Sequence, residues 1–131
     1  MLKTEIIRGP RGYVLLMDSI TKVGPQDAGA VVVSGSHGGT SSGEFALAVP
    51  LKLVVLNDAG VGKDQAGIAA LAMLQARGVA CATVAHDSAR IGDAQDSWDH
   101  GVLSHLNATA QALGLRGGEP LQTALLRVIG V

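Results

Sequence analysis

The sequence predicts a single α/β domain spanning residues 1–131, a three-layer sandwich in which helices flank a small, mainly parallel sheet. The main observation is a pattern that occurs three times: an apolar run, then a polar glycine-rich turn, then a helix-like stretch. Successive β-α-β units of this kind favour a parallel sheet with right-handed crossovers. The three turns that follow the predicted strands are residues 34–42, 57–64 and 86–93.

Composition supports a compact domain with an unusual core. Apolar residues make up 47% of the chain, but most are alanine, valine and leucine, and the aromatic residues Tyr13, Phe45 and Trp98 occur once each. Small side chains bury little area individually, so the predicted core is thin and association between copies would stabilise it. We therefore expect a homo-oligomer.

The charges and apolar runs exclude several classes of partner. The formal net charge is −1 and the charged residues are dispersed, which argues against nucleic acid as a partner. The longest apolar stretch, residues 45–56, contains Pro50 and Lys52, so we expect no membrane span, and no signal peptide is predicted. Cys81 lies in an apolar run, where a buried, unreactive thiol is expected. These features fit a cytoplasmic protein.

The first predicted element is an N-terminal β-hairpin or a pair of edge strands. Residues 1–7 alternate weakly in hydropathy, residues 13–17 are apolar, and the glycine- and proline-containing residues 8–12 between them are a turn signal. Residues 21–29 then form a predicted loop.

Two buried strands and a short helix are expected next. Residues 31–33 are all valine, which is typical of a strand covered on both faces. Ser41 and Glu44 have the spacing of a capping box, so a helix should begin near Ser41 and end before Pro50. The apolar residues 51–56 form the second predicted strand.

The second half of the chain predicts more helix. Asp64 is the expected N-cap of a helix that runs to Arg77, with Gly78 just beyond its end. Residues 79–84 form the third predicted strand. Apolar residues at three- and four-residue spacing then predict two further helices, within residues 102–113 and 120–128.

The first turn favours the binding of an anion. Glycines such as Gly38 and Gly39 allow backbone N–H groups to face a phosphate or carboxylate, and the start of the following helix adds a positive partial charge. The hydroxyl groups of Thr40 and Ser41 are further candidate donors. A strand-to-helix turn without a ligand is the alternative interpretation.

The same turn contains candidate catalytic residues. Ser36 occupies the nucleophile position of a Gly-x-Ser-x-Gly elbow, although Ser34 replaces the first glycine of that motif. His37, at the end of the predicted strand, is a candidate acid or base near neutral pH. The alternative is that the histidine is incidental.

The second turn does not satisfy a nucleotide-binding motif. Gly60 and Gly62 are not followed by the third glycine of a dinucleotide fingerprint, and Lys63 is followed by Asp64 where a phosphate-binding loop needs serine or threonine. Asp58 remains as a candidate catalytic base or acceptor for a substrate hydroxyl. Lys63 is a candidate partner for a substrate anion.

The third turn is dense in functional groups. The planar guanidinium of Arg90 can bind both oxygens of a carboxylate or phosphate, and an internal salt bridge to Asp87 or Asp93 is the alternative. His86 is a candidate acid or base. Asp87 and Ser88 are further candidates for substrate binding.

Together these residues predict a small enzyme that binds an anionic metabolite, a carboxylate or a phosphate, and performs acid–base or hydrolytic chemistry. The alternative is a non-catalytic protein: a ligand-binding module, a small subunit, or an interaction module whose polar turns form salt bridges between subunits. The sequence identifies no cofactor. A carboxylate-rich Mg²⁺ site is conceivable, but the spacing of the histidines and carboxylates is not diagnostic, so we assign no metal ligand. The candidate catalytic residues are Ser36, His37, Asp58 and His86, and the candidate substrate-binding residues are Gly38, Gly39, Thr40, Ser41, Lys63, Asp87, Ser88 and Arg90.

Overall fold

The computed structural model describes residues 1–131 and contains one sheet of six strands, which lie in the sheet in chain order. The four central strands pair in parallel, and the two edge strands are antiparallel to their neighbours. The strands are β1 Lys3–Gly9, β2 Gly12–Met17, β3 Val31–His37, β4 Leu53–Asn57, β5 Ala80–Val84 and β6 Leu103–Leu106.

Five α-helices connect or follow these strands. The first two contact each other, the third packs on β2 and β3, and the fifth packs on β1 and β2. None of the helices combines the length and apolar character that a bilayer-spanning segment needs. The helices are α1 Thr40–Leu47, α2 Ala69–Gln75, α3 Ala94–His100, α4 Ala108–Ala112 and α5 Leu121–Ile129.

The α/β fold and the N-terminal hairpin are confirmed, but the predicted mainly parallel sheet is wrong. The sheet is mixed because β6 runs antiparallel to β5, with Leu103 beside Val84 at the end of β5. Helix α3 does not return the chain to the opposite end of the sheet. Its first N–H, at Ala94, donates to Asp18 just after β2, and Gly101 after its last turn lies against Val84. The next strand therefore starts where β5 ends.

Both faces of the central strands are buried. The side chains of Val31 and Val33 belong to one apolar cluster and that of Val32 belongs to the other, as the alternation of a strand requires. This explains why the sequence of β3 is uniformly apolar. Cys81 is fully buried in the second cluster, as expected, and burial raises the pKa of its thiol to about 12.

Two helix starts differ from the predictions. Helix α1 begins at Thr40, with Gly39 at the N-cap and no side-chain cap, so Ser41 lies inside the first turn and is not the cap. Helix α2 begins only at Ala69. Residues 63–68 form a tighter 3₁₀ segment in which Asp64 has a left-handed backbone, so Asp64 does not cap a helix.

The helix expected within residues 102–113 is instead strand β6 followed by the short helix α4. Asn107 separates them, since its side chain caps α4 by accepting from the Ala110 N–H at 2.9 Å. The same oxygen accepts from the Cys81 N–H at 3.1 Å, and Nδ2 donates to the carbonyl groups of Leu71 and Val79 at 3.3 and 2.9 Å. One amide thus joins the start of β5, α2 and α4.

Replacing Asn107 with alanine should destabilise the fold by about 2–4 kcal/mol, because buried backbone groups that lose their partner cost roughly 1–3 kcal/mol each. Urea denaturation followed by circular dichroism measures this change. Gln111→Ala, at an exposed position of α4, is the control and should have little effect. A loss below about 1 kcal/mol for Asn107→Ala would show that water replaces the amide.

Candidate functional site

The three polar turns lie side by side at the carboxyl end of the parallel strands. His37 at the end of β3 is aligned with Asn57 at the end of β4, and Asn57 is aligned with Val84 at the end of β5. Backbone hydrogen bonds continue this alignment beyond the strands. The Gly38 N–H donates to the Asn57 carbonyl at 2.8 Å, and the Asp58 N–H donates to the Val84 carbonyl at 3.0 Å.

Buried polar contacts hold the turns together. Asn57 is fully buried, and its Nδ2 donates to the Ala89 carbonyl at 3.0 Å while its Oδ1 accepts from the Ala59 N–H at 2.9 Å. The third turn also contacts the first, since the Gly92 N–H donates to the Gly35 carbonyl at 2.6 Å. The sequence therefore builds a rigid junction from segments that are distant along the chain.

Asp58 and His86 form the most distinctive pair at this junction. Asp58 is only 4% exposed, and its Oδ1 accepts from the N–H groups of Gly60 at 2.8 Å and His86 at 3.1 Å. The His86 Nδ1 lies 3.4 Å from the same oxygen, and 56% of the His86 side chain is exposed. A buried carboxylate thus faces one side of an imidazole whose other side is open to solvent.

The electrostatics of Asp58 keep it ionised at neutral pH. Burial alone raises the pKa of Asp58, but hydrogen bonds from Gly60, Ser104 and His86 to the carboxylate outweigh it, so the pKa lies below its ordinary value. An ionised carboxylate beside Nδ1 favours the tautomer in which that nitrogen carries the proton. The Nε2 of His86 then lies on the solvent-exposed side of the ring.

Because the pKa of Asp58 is lower in the folded than in the unfolded protein, the carboxylate stabilises the fold above its unfolded pKa of about 3.9, and this contribution is lost as the pH falls through the folded pKa. Urea midpoints measured from about pH 6 down to about pH 2.5 should therefore fall less steeply in Asp58→Asn than in the unmodified protein. Asp64→Asn, at an exposed position, should leave the profile unchanged. Identical profiles for Asp58→Asn and the unmodified protein would contradict the assignment.

The start of helix α1 offers donors to an anion. The Gly38 carbonyl accepts from the Ala70 N–H at 2.9 Å, and it does not accept from the Ser42 N–H. The Gly39 N–H has no acceptor. The imidazole of His37 lies against Gly39, so closely that a methyl group at position 39 would stand 2.9 Å from Nε2. Exposed hydroxyl groups of Thr40 and Ser41 border the same helix start.

Two candidate hydroxyl groups are engaged in holding the backbone. The Ser36 Oγ accepts from the Ile20 N–H at 3.0 Å, and no hydrogen bond joins it to a histidine. The Ser88 Oγ donates to the Ala85 carbonyl at 2.7 Å and accepts from the Val102 N–H at 3.0 Å. A nucleophile needs a base within hydrogen-bond reach, which Ser36 lacks in this arrangement.

The candidate cations are exposed and unpaired. Neither Lys63 nor the guanidinium of Arg90 takes part in any ion pair of the structure. The internal salt bridge considered for Arg90 is absent, and only its backbone N–H is engaged, donating to Asp96 at 2.8 Å. Asp87 is exposed without a hydrogen-bond partner for its side chain. These three side chains are free to contact a ligand.

The second turn has a strained backbone. Of the four non-glycine residues with positive φ in the chain, Ala59, Val61 and Asp64 lie in this turn, and Gln65 follows directly after it. Such a φ is especially costly for a β-branched residue such as Val61. The N–H groups of residues 59–62 all donate to oxygen atoms of residues 57–60. These N–H groups are therefore not available to bind an anion.

Sequence analysis missed Ser104. This residue lies on β6, its Oγ is 2.9 Å from the Thr83 Oγ1, and its hydroxyl helps to lower the pKa of Asp58. It was missed because β6 was predicted to be helical, which places Ser104 away from the strand ends. The three-residue spacing of Leu103 and Leu106 fits a helix, so the local sequence contains no signal for the strand.

The site is an open surface. The two pockets of the structure, of about 370 and 270 Å³, are lined by other residues. No group of three or more histidine, cysteine, aspartate or glutamate side chains is arranged to hold a metal ion. The arrangement therefore combines a carboxylate–histidine pair, an uncapped helix start and two free cations, without an enclosed cavity.

The chain matches no protein-family model and no curated protein, and no solved structure matches its fold.

Proposed function

We propose that the protein is an enzyme that binds a small anionic metabolite, a carboxylate or a phosphate, and transfers a proton through His86. The observation that supports this most directly is the contact between the buried Asp58 carboxylate and the Nδ1 of His86, at 3.4 Å, with the rest of the imidazole exposed. Carboxylate–imidazole pairs of this kind orient a histidine and set its tautomer for acid–base chemistry.

In this proposal Asp58 orients His86 and stabilises its protonated form. The Nε2 accepts a proton from the substrate, and the imidazolium is then paired with the Asp58 carboxylate. The distance of 3.4 Å exceeds that of a normal hydrogen bond, and such contacts often shorten when substrate binds. The backbone of Asp58 is anchored to β5, so the imidazole is the group that moves.

The anionic group of the substrate would bind between the start of α1 and the free cations. The uncapped helix start and the imidazole of His37 provide donors, and Arg90 provides a planar pair of N–H groups. Lys63 and the hydroxyl groups of Thr40 and Ser41 add further contacts. A hydrolytic mechanism through Ser36 has less support, because its hydroxyl is bonded to the backbone of Ile20.

A second candidate function is that of a binding or small-subunit module, and the openness of the site favours it. Acid–base catalysis benefits from the exclusion of water, and the three turns enclose no cavity by themselves. A second copy of the chain, or another subunit, would then cover the site.

We also infer that the helices pack as outer layers on the two faces of the sheet, giving three layers.

Thermal denaturation in the presence of anions tests the proposal. At constant ionic strength, inorganic phosphate, acetate and succinate are compared with chloride; a ligand at 100 times its Kd stabilises by about 2.7 kcal/mol. We expect one of these anion classes to raise the Tm of the unmodified protein but not that of Arg90→Ala. The control Arg77→Ala removes an equally exposed arginine outside the site and should respond normally. An equal response of Arg90→Ala would contradict the proposed anion site.

A further inference from the structure

The larger pocket of the protein shares no residue with the three turns. It has a volume of about 370 Å³, which falls within the range of small-molecule sites, about 300–1,000 Å³. It lies between the carboxyl end of α3 and the amino end of α5. Trp98, Val102 and Leu126 form its apolar surface, and Trp98 is only 7% exposed.

The wall of the pocket at the start of α5 contains unpaired hydrogen-bond donors. Helix α5 has no side-chain cap, and the N–H groups of Gln122 and Thr123 are not bonded to any carbonyl of residues 118–121. Both residues line the pocket. The Leu121 N–H is already used, since it donates to the Gly101 carbonyl at 2.9 Å. Two N–H groups and the Thr123 hydroxyl at the positive end of a helix therefore remain for an acceptor.

The opposite wall has negative character. Asp99 and His100 at the carboxyl end of α3 line the pocket, where the helix carries a negative partial charge. The Asp99 Oδ1 accepts from the Gln95 amide at 3.1 Å, and no cation pairs with the carboxylate. His100 does not make this wall positive, because its Nδ1 lies 2.9 Å from the Asp96 carboxylate.

We propose that this pocket binds a small zwitterion with an apolar side chain, the chemical class of the aliphatic α-amino acids. The ligand carboxylate accepts from the N–H groups of Gln122 and Thr123, and its ammonium group lies near Asp99. Its side chain packs on Trp98, Val102 and Leu126. An anion alone would face the Asp99 carboxylate, and a cation alone would face the positive end of α5. The proposal does not depend on the function proposed for the three turns.

Trp98 is the only tryptophan of the chain, so its fluorescence reports directly on the pocket. We expect saturable changes with L-leucine. Affinity should be at least tenfold weaker for isoamylamine, which lacks the carboxylate, for 4-methylpentanoate, which lacks the ammonium group, and for glycine, which lacks the apolar side chain. Calorimetric titration should give the same order of affinity.

Asp99→Asn removes one charge at an exposed position and should weaken L-leucine at least tenfold while leaving the affinity for 4-methylpentanoate equal or higher. Glu44→Gln, which removes an exposed charge outside the pocket, is the matched control and should not change the titration. The proposal is overturned if L-leucine produces no change, if the amine or the acid binds as tightly as the zwitterion, or if Asp99→Asn binds L-leucine normally.

Discussion

Replacing Gly67 with alanine is expected to destabilise the protein by about 3 kcal/mol or more. This is a large loss of stability for the addition of one methyl group. The added methyl would overlap the carbonyl oxygen of Asp58 and stand 3.0 Å from that of Val61. Both obstacles are backbone atoms of the strained second turn, so no side-chain rotation relieves the overlap. Urea or thermal denaturation measures the loss.

The expected damage extends to the candidate site. A methyl group on Gly38 would likewise lie 2.6 Å from the carbonyl of Gly67, so these two glycines allow the turn before α1 to approach the turn that carries Asp58. Gly117→Ala is the matched control, since its nearest neighbour would be the Ser104 carbonyl at 3.8 Å, an ordinary contact. If Gly67→Ala were as stable as Gly117→Ala, the close approach of the two backbones would be wrong.

The parallel centre of the fold was predictable because its strands are buried on both faces. Such strands have continuous apolar, β-branched sequences, which residues 31–33 and 53–56 show clearly. The N-terminal hairpin was also predictable, since Gly9 and Gly12 flank a tight turn between a weakly alternating segment and an apolar run. In both cases the pattern that stabilises the structure is local in the sequence.

The edge strand β6 was not predictable in the same way. The apolar residues Leu103, Leu106, Ala110 and Leu113 have helical spacing, yet β6 forms because Leu103 pairs with Val84 and packs in the core. Leu113 belongs to the predicted helical stripe, which would bury it, but it is 36% exposed. Pairing with β5 thus outweighs the helical spacing of the apolar residues. Only Asn107, a strong capping residue, marks the boundary between β6 and α4.

The location of the candidate site followed from the order of strands and turns, whereas the roles of its residues did not. Asn57, Ser36 and Ser88 are chemically capable, but their polar atoms are bonded to the backbone of neighbouring turns. Asp58 and His86 are 28 residues apart, so only the sheet brings them together. Which polar side chains hold the structure and which stay free is decided by contacts between segments, and a single sequence does not encode those contacts locally.

For a substrate identified by the anion screen, His86→Gln should reduce kcat by about 10²–10⁴-fold, the usual contribution of a general acid or base. Asp58→Asn should cause a loss of similar order, because an amide can present its N–H₂ to Nδ1 and so stabilise the unproductive tautomer. Steady-state kinetics of the purified variants measures both effects. KM should change little, since neither residue is assigned to the anion.

The double variant makes this test specific to the pair. If Asp58 acts through His86, Asp58→Asn combined with His86→Gln should be no slower than His86→Gln alone, because residues that act as a unit are not additive. Additive losses would mean that the two residues act separately. A loss in Ser36→Ala as large as that in His86→Gln, with unchanged stability, would instead favour the hydrolytic mechanism.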